Sequence, residues 1–244
     1  MDQSRVIGIG KKNAKKLDER GPRRRKAAAS TGNQVPAILE ILRERIATQA
    51  IPPGSKLLEQ NLAREFRVSR ARVREVLGAL ERRGLIRREL NKGAVVAKLE
   101  LTEVFEIYDV REALEGLCVR LATENVLPET WADLVQLFGE PMEQLVAAGD
   151  IDKYDKALTQ MRQRVIEAAR NPVLAGMLDS IYEKTRTIMR RVLILPERAS
   201  KGLSEHQAVL AAMRRGDAAE AERLKRANIR SAINDLKRYQ HFVL

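Results

Sequence analysis

The sequence has few of the residue types on which most enzymes and secreted domains depend. Its single cysteine, Cys118, cannot form an internal disulfide, which favours a cytoplasmic protein. There are only two histidines, no glycine-rich phosphate loop and no nucleophile elbow, so few arrangements of a general-base site are open to the chain. We therefore expect no enzyme activity, and we expect Cys118 to be a small buried hydrophobe.

Long hydrophobic runs are missing as well. No apolar stretch reaches the roughly 18–20 residues that a membrane helix needs, and the basic N-terminus is not followed by a hydrophobic segment. We predict neither secretion nor membrane insertion. With 244 residues the chain can hold two domains, each with its own core.

Positive charge is concentrated in the first hundred residues. Residues 1–32 carry a net charge of +7, residues 33–99 another +7, and the remainder −2, which together give the +12 of the whole chain. Such a distribution provides a salt-sensitive attraction to phosphate that does not depend on sequence. The acidic remainder has no electrostatic reason to contact nucleic acid.

Residues 1–32 have no apolar periodicity and contain several short basic runs. We interpret them as a mobile basic tail. Two interpretations stay open: a solvated extension without a defined role, or an arm that adds phosphate contacts to a DNA complex.

Three short helices are predicted between residues 33 and 99. Apolar residues recur at helical spacing from Val35 until Pro52 ends the pattern, and a second stripe begins at Glu59. Ser69 is well placed as the N-cap of a third helix. The apolar face of that helix is expected in the core and consists of Val73, Val76, Leu77 and Leu80.

The third helix begins with three arginines, Arg70, Arg72 and Arg74, and has small residues on its exposed face. Such a helix suits the major groove, because the backbone can come close to the bases while guanidinium groups reach guanine edges or phosphates. Exposed arginines are often only solvated, which is the alternative interpretation. We predict that these three contact DNA.

A β-hairpin follows the third helix. Gly84 ends the helix as a C′ glycine, and residues 86–90 and 94–97 are rich in apolar and β-branched side chains across a glycine-containing turn. Lys92 and Gly93 at the tip of this wing are expected against the DNA backbone or minor groove. Residues 33–99 are thus predicted to form a winged helix-turn-helix DNA-binding domain.

Residues 100–244 show no strand signal, and we interpret them as an effector-binding and dimerisation domain built only from helices. Six amphipathic stretches of this length predict an antiparallel bundle, which can hold a ligand between its helices. The fold class is therefore mainly α. The predicted helices cover residues 102–126, 128–148, 150–169, 172–195, 200–215 and 218–239.

The chain resembles the GntR family of bacterial transcription regulators. Residues 51–96 are similar to the winged helix of that family through PPGSKL, LEQNLAREFRVSRARVREVLGALERRGLI and KGAVV. Three later segments resemble its FadR-type (FCD) branch, and the six-helix count resembles the vanillate-regulator-like subgroup. Those segments read YDVREALEGLCVRLA, EAARNPVL and SEHQAVLAAMRRGDAAEAE.

The resemblance implies a homodimeric repressor that binds a palindromic operator in double-stranded DNA and is released by a small organic acid. A dimer is also expected because one recognition helix covers too few base pairs for genomic specificity. The DNA-contacting positions of the family fall here on Gln60, Ser69, Arg70, Arg72, Arg74 and Gly93.

One departure from the family concerns metal. Many FadR-type domains hold a divalent metal through one aspartate and three histidines, but the phrase that should contain the first two ligands reads Leu158-Thr159-Gln160-Met161-Arg162. Only His206 occupies a ligand position, and Asn228 stands at the position of the third histidine. One imidazole cannot hold such a metal tightly, so we predict no metal and no other cofactor.

Arg162 stands where a metal-ligating histidine would be, and a guanidinium binds a carboxylate through two hydrogen bonds. We therefore predict an effector site in which Arg162 and Arg111 clamp an acid, with His206 and Asn228 as polar lining. In the alternative, Arg162 points outward or pairs with Glu167 or Asp155, and the pocket is empty.

Two other functions stay open from sequence. One is a constitutive or architectural DNA-binding protein whose bundle serves only for dimerisation. The other, more remote, is a metabolic enzyme fused to a DNA-binding module. Loss of operator affinity on binding an acid would separate a regulator from the first, and turnover of a carboxylic acid would identify the second.

Overall fold

A computed structural model describes residues 34–243 of the chain. The predicted basic tail, residues 1–32, lies outside the described residues. Within residues 34–243 no helix is both long enough and apolar enough to cross a membrane.

The N-terminal elements form a winged helix-turn-helix, as predicted. Three helices are followed by a hairpin whose second strand also pairs with a short strand before α2, giving an antiparallel sheet in the order β1-β3-β2. The elements are α1 Gln34–Ala47, β1 Lys56–Leu57, α2 Glu59–Glu65, α3 Arg70–Arg82, β2 Ile86–Glu89 and β3 Gly93–Val96. The two-residue strand β1 was not predicted, because so short a strand leaves no periodic pattern.

The local signals for α3 are confirmed. Ser69 caps the helix, since its Oγ accepts a hydrogen bond from the backbone N–H of Arg72 at 3.3 Å. Gly84 follows the helix with a φ of +71°, the left-handed conformation that glycine adopts without strain. The apolar face predicted for α3 is buried against α1, α2 and the wing.

The remaining chain is a bundle of helices, with no strand in its described part. The most extensive packing is between α4 and α10. Helix α10 also packs along α9, and α4 packs along α7. The helices are α4 Leu101–Asn125, a 3₁₀ turn Pro128–Trp131, α5 Ala132–Leu137, α6 Glu140–Ala147, α7 Ile151–Ala169, α8 Pro172–Leu193, α9 Arg198–Arg214, α10 Ala218–Arg238 and α11 Gln240–Val243.

The prediction of one continuous helix over residues 128–148 was wrong. The segment is a 3₁₀ turn followed by α5 and α6, which are separated at Gly139. Pro141 stands in the first turn of α6, where its missing N–H costs nothing. The apolar spacing continues across the break because both short helices pack on the same core, which is why periodicity alone did not reveal it.

The core of the bundle contains large aromatic and aliphatic side chains and the single cysteine. Trp131, Leu134 and Phe138 are buried, and so is Cys118. Burial raises the pKa of the Cys118 thiol to about 12, so the prediction of a small buried hydrophobe is confirmed. Met177 is about half exposed in an outer groove.

Candidate nucleic-acid interface and buried charge cluster

The first turn of α3 presents arginine to solvent. Arg70 and Arg74 are exposed and Arg72 is half-buried, while the apolar face of the helix points inward. Among the described residues, neither Arg70 nor Arg72 forms an ion pair, and Arg74 Nε lies 3.9 Å from Glu59 Oε2. Guanidinium groups held this loosely can turn toward a phosphate or a base edge.

Other predicted DNA contacts lie on exposed surfaces too. Gln60 is exposed in the first turn of α2, and Lys92 and Gly93 are exposed at the tip of the wing. Gly93 adopts a φ of +76° with open space around it, so the hairpin turn itself favours glycine. That these residues contact DNA stays a prediction.

The wing carries an ionic cluster that sequence did not suggest. Lys92 Nζ lies 2.6 Å from Glu89 Oε2, and Arg87 Nε lies 2.9 Å from Glu89 Oε1. These two cations lower the pKa of the Glu89 carboxyl. Lys92 is therefore paired within the wing, and a contact with phosphate would require it to leave Glu89.

A network of charged and polar side chains connects α4, α9 and α10 inside the bundle. Arg111 donates to one oxygen of Glu115 through Nε at 2.9 Å and Nη2 at 2.7 Å. The other Glu115 oxygen lies 2.8 Å from Lys225 Nζ. All three residues are less than one-tenth exposed, so this is a buried salt-bridge triad.

The network extends from Lys225 to a second carboxylate, that of Glu205. Lys225 Nζ donates to Asn228 Oδ1 at 3.2 Å, and Asn228 Nδ2 donates to Glu205 Oε2 at 2.7 Å. Arg198, which is also buried, donates to the same Glu205 oxygen at 2.7 Å. A polar network therefore links α4 to α9 through α10.

The network perturbs the ionisation of its members. Burial works to raise the pKa of the Glu115 carboxyl, but Lys225 and Arg111 hold that pKa well below its usual range. Burial lowers the pKa of Lys225, and the neighbouring Glu115 opposes the shift. We conclude that Glu115 stays ionised at neutral pH and that its charge keeps both cations in place.

Tyr182 of α8 joins the two arginines that sequence proposed for the effector site. The Cζ atom of Arg111 lies 5.7 Å from the centroid of its ring, and that of Arg162 lies 5.4 Å away. Arg162 also donates to Thr159 Oγ1 at 2.9 Å. Arg162 forms no ion pair with Glu167 or Asp155, the partners considered from sequence.

Two buried polar groups near the network have no hydrogen-bond partner among the described residues. They are Nδ1 of His206 and the hydroxyl of Tyr154. Burial lowers the pKa of His206 well below its usual value, with Lys225 and Arg198 adding to the effect. A neutral imidazole and a phenol are thus left able to bond a water or a ligand.

The internal cavity at this network is small. Its volume is about 20 Å³, enough for one water, and Arg162, Tyr182, Glu115 and Lys225 are among its lining residues. A ligand larger than water must open it. The cavity in the described structure is therefore too small for an organic acid.

The structure brings the four predicted effector residues into one region but gives them different surroundings. Arg162 borders the cavity, His206 and Asn228 belong to the network around Lys225, and Arg111 is already bound by Glu115. Their role in binding an effector stays a prediction. Sequence reasoning missed Glu115, Lys225, Arg198, Glu205 and Tyr182.

A signal for two of the missed residues was present in the sequence. Glu115 follows Arg111 by four residues on the apolar face of α4, and Lys225 lies between Ala221 and Ile229 on the apolar face of α10. A charged residue on a buried helix face requires a buried partner. Searching apolar stripes for charge would have found them.

The residues present do not fit a divalent metal. Leu158 is buried among apolar side chains where the family has an aspartate, and the ammonium of Lys225 lies against Asn228. In the described residues no group of three or more histidine, cysteine or acidic side chains converges on one point. The imidazole of His206 faces cations rather than further ligands.

Comparison with known proteins gives two matching families. Residues 35–96 match the family described as bacterial regulatory proteins, gntR family, and residues 106–231 match the FCD domain. The second match alone covers about half of the chain. The first includes the exposed arginines of α3 and the wing, and the second includes most of the buried charge network.

Individual relatives agree with these matches. The gluconate operon transcriptional repressor of Bacillus licheniformis is 33% identical over 172 residues, 70% of this chain and 67% of that protein. The galactonate operon transcriptional repressor of Escherichia coli is 27% identical, covering 85% of this chain and 98% of that protein. Several other curated regulators are matched over only 63% of their own length.

Among solved structures, E. coli McbR/YncC is similar with a TM-score of 0.69 at 20% identity, covering 85% of this chain and 98% of that chain. This likeness concerns the fold. It agrees with a winged helix followed by a helical bundle.

Proposed function

The chain belongs to the GntR family of bacterial transcription regulators and carries an FCD domain, and we propose that it is a cytoplasmic repressor controlled by a small organic acid. In this proposal a homodimer binds an inverted-repeat operator and leaves it when the acid enters the bundle. The matched relatives are regulators rather than enzymes, and we assign no catalytic role to any residue.

For DNA, we propose that the first turn of α3 enters the major groove. Arg70, Arg72 and Arg74 contact base edges or phosphates. Ser69 caps the helix and lies close to the DNA backbone. Gln60, Lys92 and Gly93 contact phosphates beside the groove. Arg70 is exposed and Arg72 is half-buried, and neither forms an ion pair among the described residues, which supports this assignment.

For assembly, we propose that a groove between α4 and α8 is the dimer face. Val110, Val173 and Met177 line it and are each half or more exposed. Exposed apolar side chains gathered in one groove are candidates for a protein–protein interface. A second copy of the chain, related by a two-fold axis, would cover both patches at once and would place two recognition helices on two half-sites.

The observation that carries the regulatory part of the proposal is that Arg162, which is half-buried and lines the cavity, forms no ion pair with the other described residues. By contrast, Arg111 and Lys225 pair with Glu115, and Arg198 pairs with Glu205. An anionic ligand would supply the direct carboxylate partner that Arg162 lacks. Arg162 and Lys225 border the cavity and are the proposed carboxylate clamp.

The remaining predicted residues have supporting roles in this proposal. His206 and Asn228 offer hydrogen bonds to the polar part of the acid, and Arg111 positions Glu115 rather than binding the acid directly. The relatives named for gluconate and galactonate operons suggest sugar acids as the first class to test.

A binding-site selection tests the DNA part. The full chain is used to enrich duplexes from a random-sequence pool at physiological salt. We expect an inverted repeat, and we expect Arg72→Ala to weaken binding to it by about 1–3 kcal/mol. Enrichment of no common sequence would reject the proposed operator.

Calorimetry tests the effector part. The full chain is titrated with D-gluconate, D-galactonate and a panel of aliphatic and aromatic acids. An acid that binds the wild type should bind Arg162→Ala at least about tenfold more weakly. Arg164→Ala is the matched control, because Arg164 lies on the same helix and pairs at the surface with Asp133. Equal affinity of wild type and Arg162→Ala would remove Arg162 from the site.

A second function keeps one observation in its favour. The closed cavity of about 20 Å³ suits a constitutive DNA-binding protein whose bundle only dimerises. The two functions differ in how acid binding affects operator binding. A regulator should lose about 1–3 kcal/mol of operator affinity with the acid bound, and a constitutive protein should lose none.

A further inference from the structure

Helix α8 contacts both the buried charge cluster and the DNA-binding elements. The described residues from Val35 onward form one compact unit, and within it α8 extends from the bundle to α1. Two consecutive residues on this helix, Tyr182 and Glu183, serve the two contacts. Their adjacency is the basis of the inference.

Glu183 holds two arginines of the DNA-binding elements. Its side chain is only 10% exposed and forms ion pairs with Arg43 of α1 and with Arg83, which follows α3. The distance from Arg83 Nη1 to Glu183 Oε2 is 2.9 Å. We name these three residues the Glu183 latch. If the nearly buried Glu183 carboxylate moved away, Arg83 would have no ion-pair partner among the described residues, and Arg43 would keep only Glu40.

Neighbouring contacts reinforce the same interface. Arg186 reaches both carboxylate oxygens of Glu44, at 2.5 and 3.2 Å, and Thr187 Oγ1 donates to the carbonyl oxygen of Ala47 at 2.9 Å. The side chain of Lys184 covers Gly84 so closely that a Cβ there would lie 2.6 Å from it. The contacts between α8 and the DNA-binding elements are therefore largely polar, and they fix which residues of α8 and α1 face each other.

Tyr182 lines both the cavity of the charge cluster and a neighbouring outer cleft. The cavity has a volume of about 20 Å³ and the cleft about 300 Å³, and Arg162 and Ile166 also line both spaces. We name Tyr182 the lid. The outer cleft also reaches Arg43 and Glu183, so the lid and the latch border one space.

We propose that the Tyr182 lid and the Glu183 latch are one coupled device. Residues that follow each other on a helix point about 100° apart and move with the same backbone. In this proposal the tyrosine ring makes room for a ligand through a shift or rotation of this turn of α8, and that movement pulls the Glu183 carboxylate from Arg43 and Arg83. The DNA-binding elements then lose their fixed orientation on the bundle.

The ligand that displaces the lid is the acid of the proposed function, and in this respect the inference rests on that proposal. The coupling itself is a property of α8 and exists without ligand. A ligand that fits only the open cavity would bind only the unlatched state and would shift the population toward it. Glu183 is in this sense a positioning residue for the DNA-binding elements.

Hydrogen exchange on the full-length protein, with neither acid nor DNA present, tests the coupling. Peptides covering residues 43–51 and 83–86 report the interface, since the amides of Thr48, Gln49 and Leu85 are hydrogen-bonded there. Glu183→Gln removes the latch charge and Tyr182→Ala removes the lid ring. Both should raise exchange in these peptides about tenfold or more.

Two matched variants provide the controls. Glu124→Gln breaks a surface pair with Arg120 on α4, and Tyr182→Phe keeps the ring, so both should exchange like the wild type. If Glu183→Gln also exchanges like the wild type, no latch exists. If Tyr182→Ala raises exchange only inside the bundle, the lid and the latch are independent and the inference is wrong. Neither result depends on whether an organic acid binds, so a failure of the proposed function would be seen separately.

Discussion

At the scale of single residues, the bundle is unusual in burying a carboxylate between two cations. Ion pairs removed from water gain little net stability, because desolvation offsets most of their attraction. The triad of Arg111, Glu115 and Lys225 therefore contributes mainly by fixing how α10 lies on α4. Arg162 lies beside this triad and forms no ion pair with a carboxylate of the described residues, which leaves its guanidinium available to an anionic ligand.

Removing the charge of Glu115 should be strongly destabilising. Glu115→Gln leaves the buried Arg111 and Lys225 without their shared counter-charge, and we expect the free energy of unfolding to fall by about 3–5 kcal/mol. Urea denaturation followed by circular dichroism measures the change. Glu124→Gln, which breaks an exposed pair on the same helix, should cost less than about 1 kcal/mol. Similar losses in the two variants would contradict the argument.

Part of this residue-scale chemistry could be predicted from sequence. Arg111, Arg162, His206 and Asn228 were proposed together, and they do lie in one region of the bundle. Their individual partners could not be predicted, because Lys225 meets Glu115 only once α10 packs against α4. Sequence predicted Arg111 as a free carboxylate clamp, whereas in the structure its guanidinium is bound by Glu115 inside the packed helices.

At the scale of secondary structure, the ends of elements were predicted best where a local side-chain signal exists. Ser69 and Gly84 bound α3 as expected, since capping depends on neighbours in sequence. Strand β1 and the break at Gly139 were missed, because both depend on tertiary partners. β1 forms only by pairing with β3, and the break lets α5 and α6 follow the surface of the core.

The cap of α3 gives a prediction in which stability and DNA binding separate. Ser69→Ala removes the hydrogen bond to the N–H of Arg72 and should lower the free energy of unfolding by about 1 kcal/mol. Ser69→Asp keeps a capping oxygen and should retain stability, but its negative charge should weaken DNA binding by repelling phosphate. Urea denaturation and fluorescence anisotropy with the selected duplex measure the two properties.

A serine in the middle of a helix provides the control for this pair. Ser204 is exposed on α9 and bonds only to a carbonyl oxygen of its own helix. Ser204→Ala should leave stability unchanged or slightly higher, because alanine has the better helix propensity. If Ser69→Asp bound the duplex as tightly as the wild type, the first turn of α3 would not face phosphate.

At the scale of the whole molecule, surface positive charge and buried charge lie in different parts of the chain. The excess positive charge lies in the first hundred residues, whereas the buried charge network lies in the bundle. Helix α8 is common to both regions and also carries the apolar groove proposed for dimerisation. A change in α8 could therefore reach the second subunit as well as the DNA-binding elements.

The dimer proposed for this face can be disrupted with one charge. Met177 is about half exposed in the groove between α4 and α8, so Met177→Glu would cause little strain in a monomer but would bury two uncompensated carboxylates in a two-fold dimer. We expect sedimentation to show a monomer and binding to the selected inverted repeat to weaken at least about a hundredfold, because one recognition helix retains only half of the contacts. Ile194→Glu is the matched control, since Ile194 is also exposed but lies outside this groove. A Met177→Glu protein that remains dimeric would show that the chain pairs through another surface.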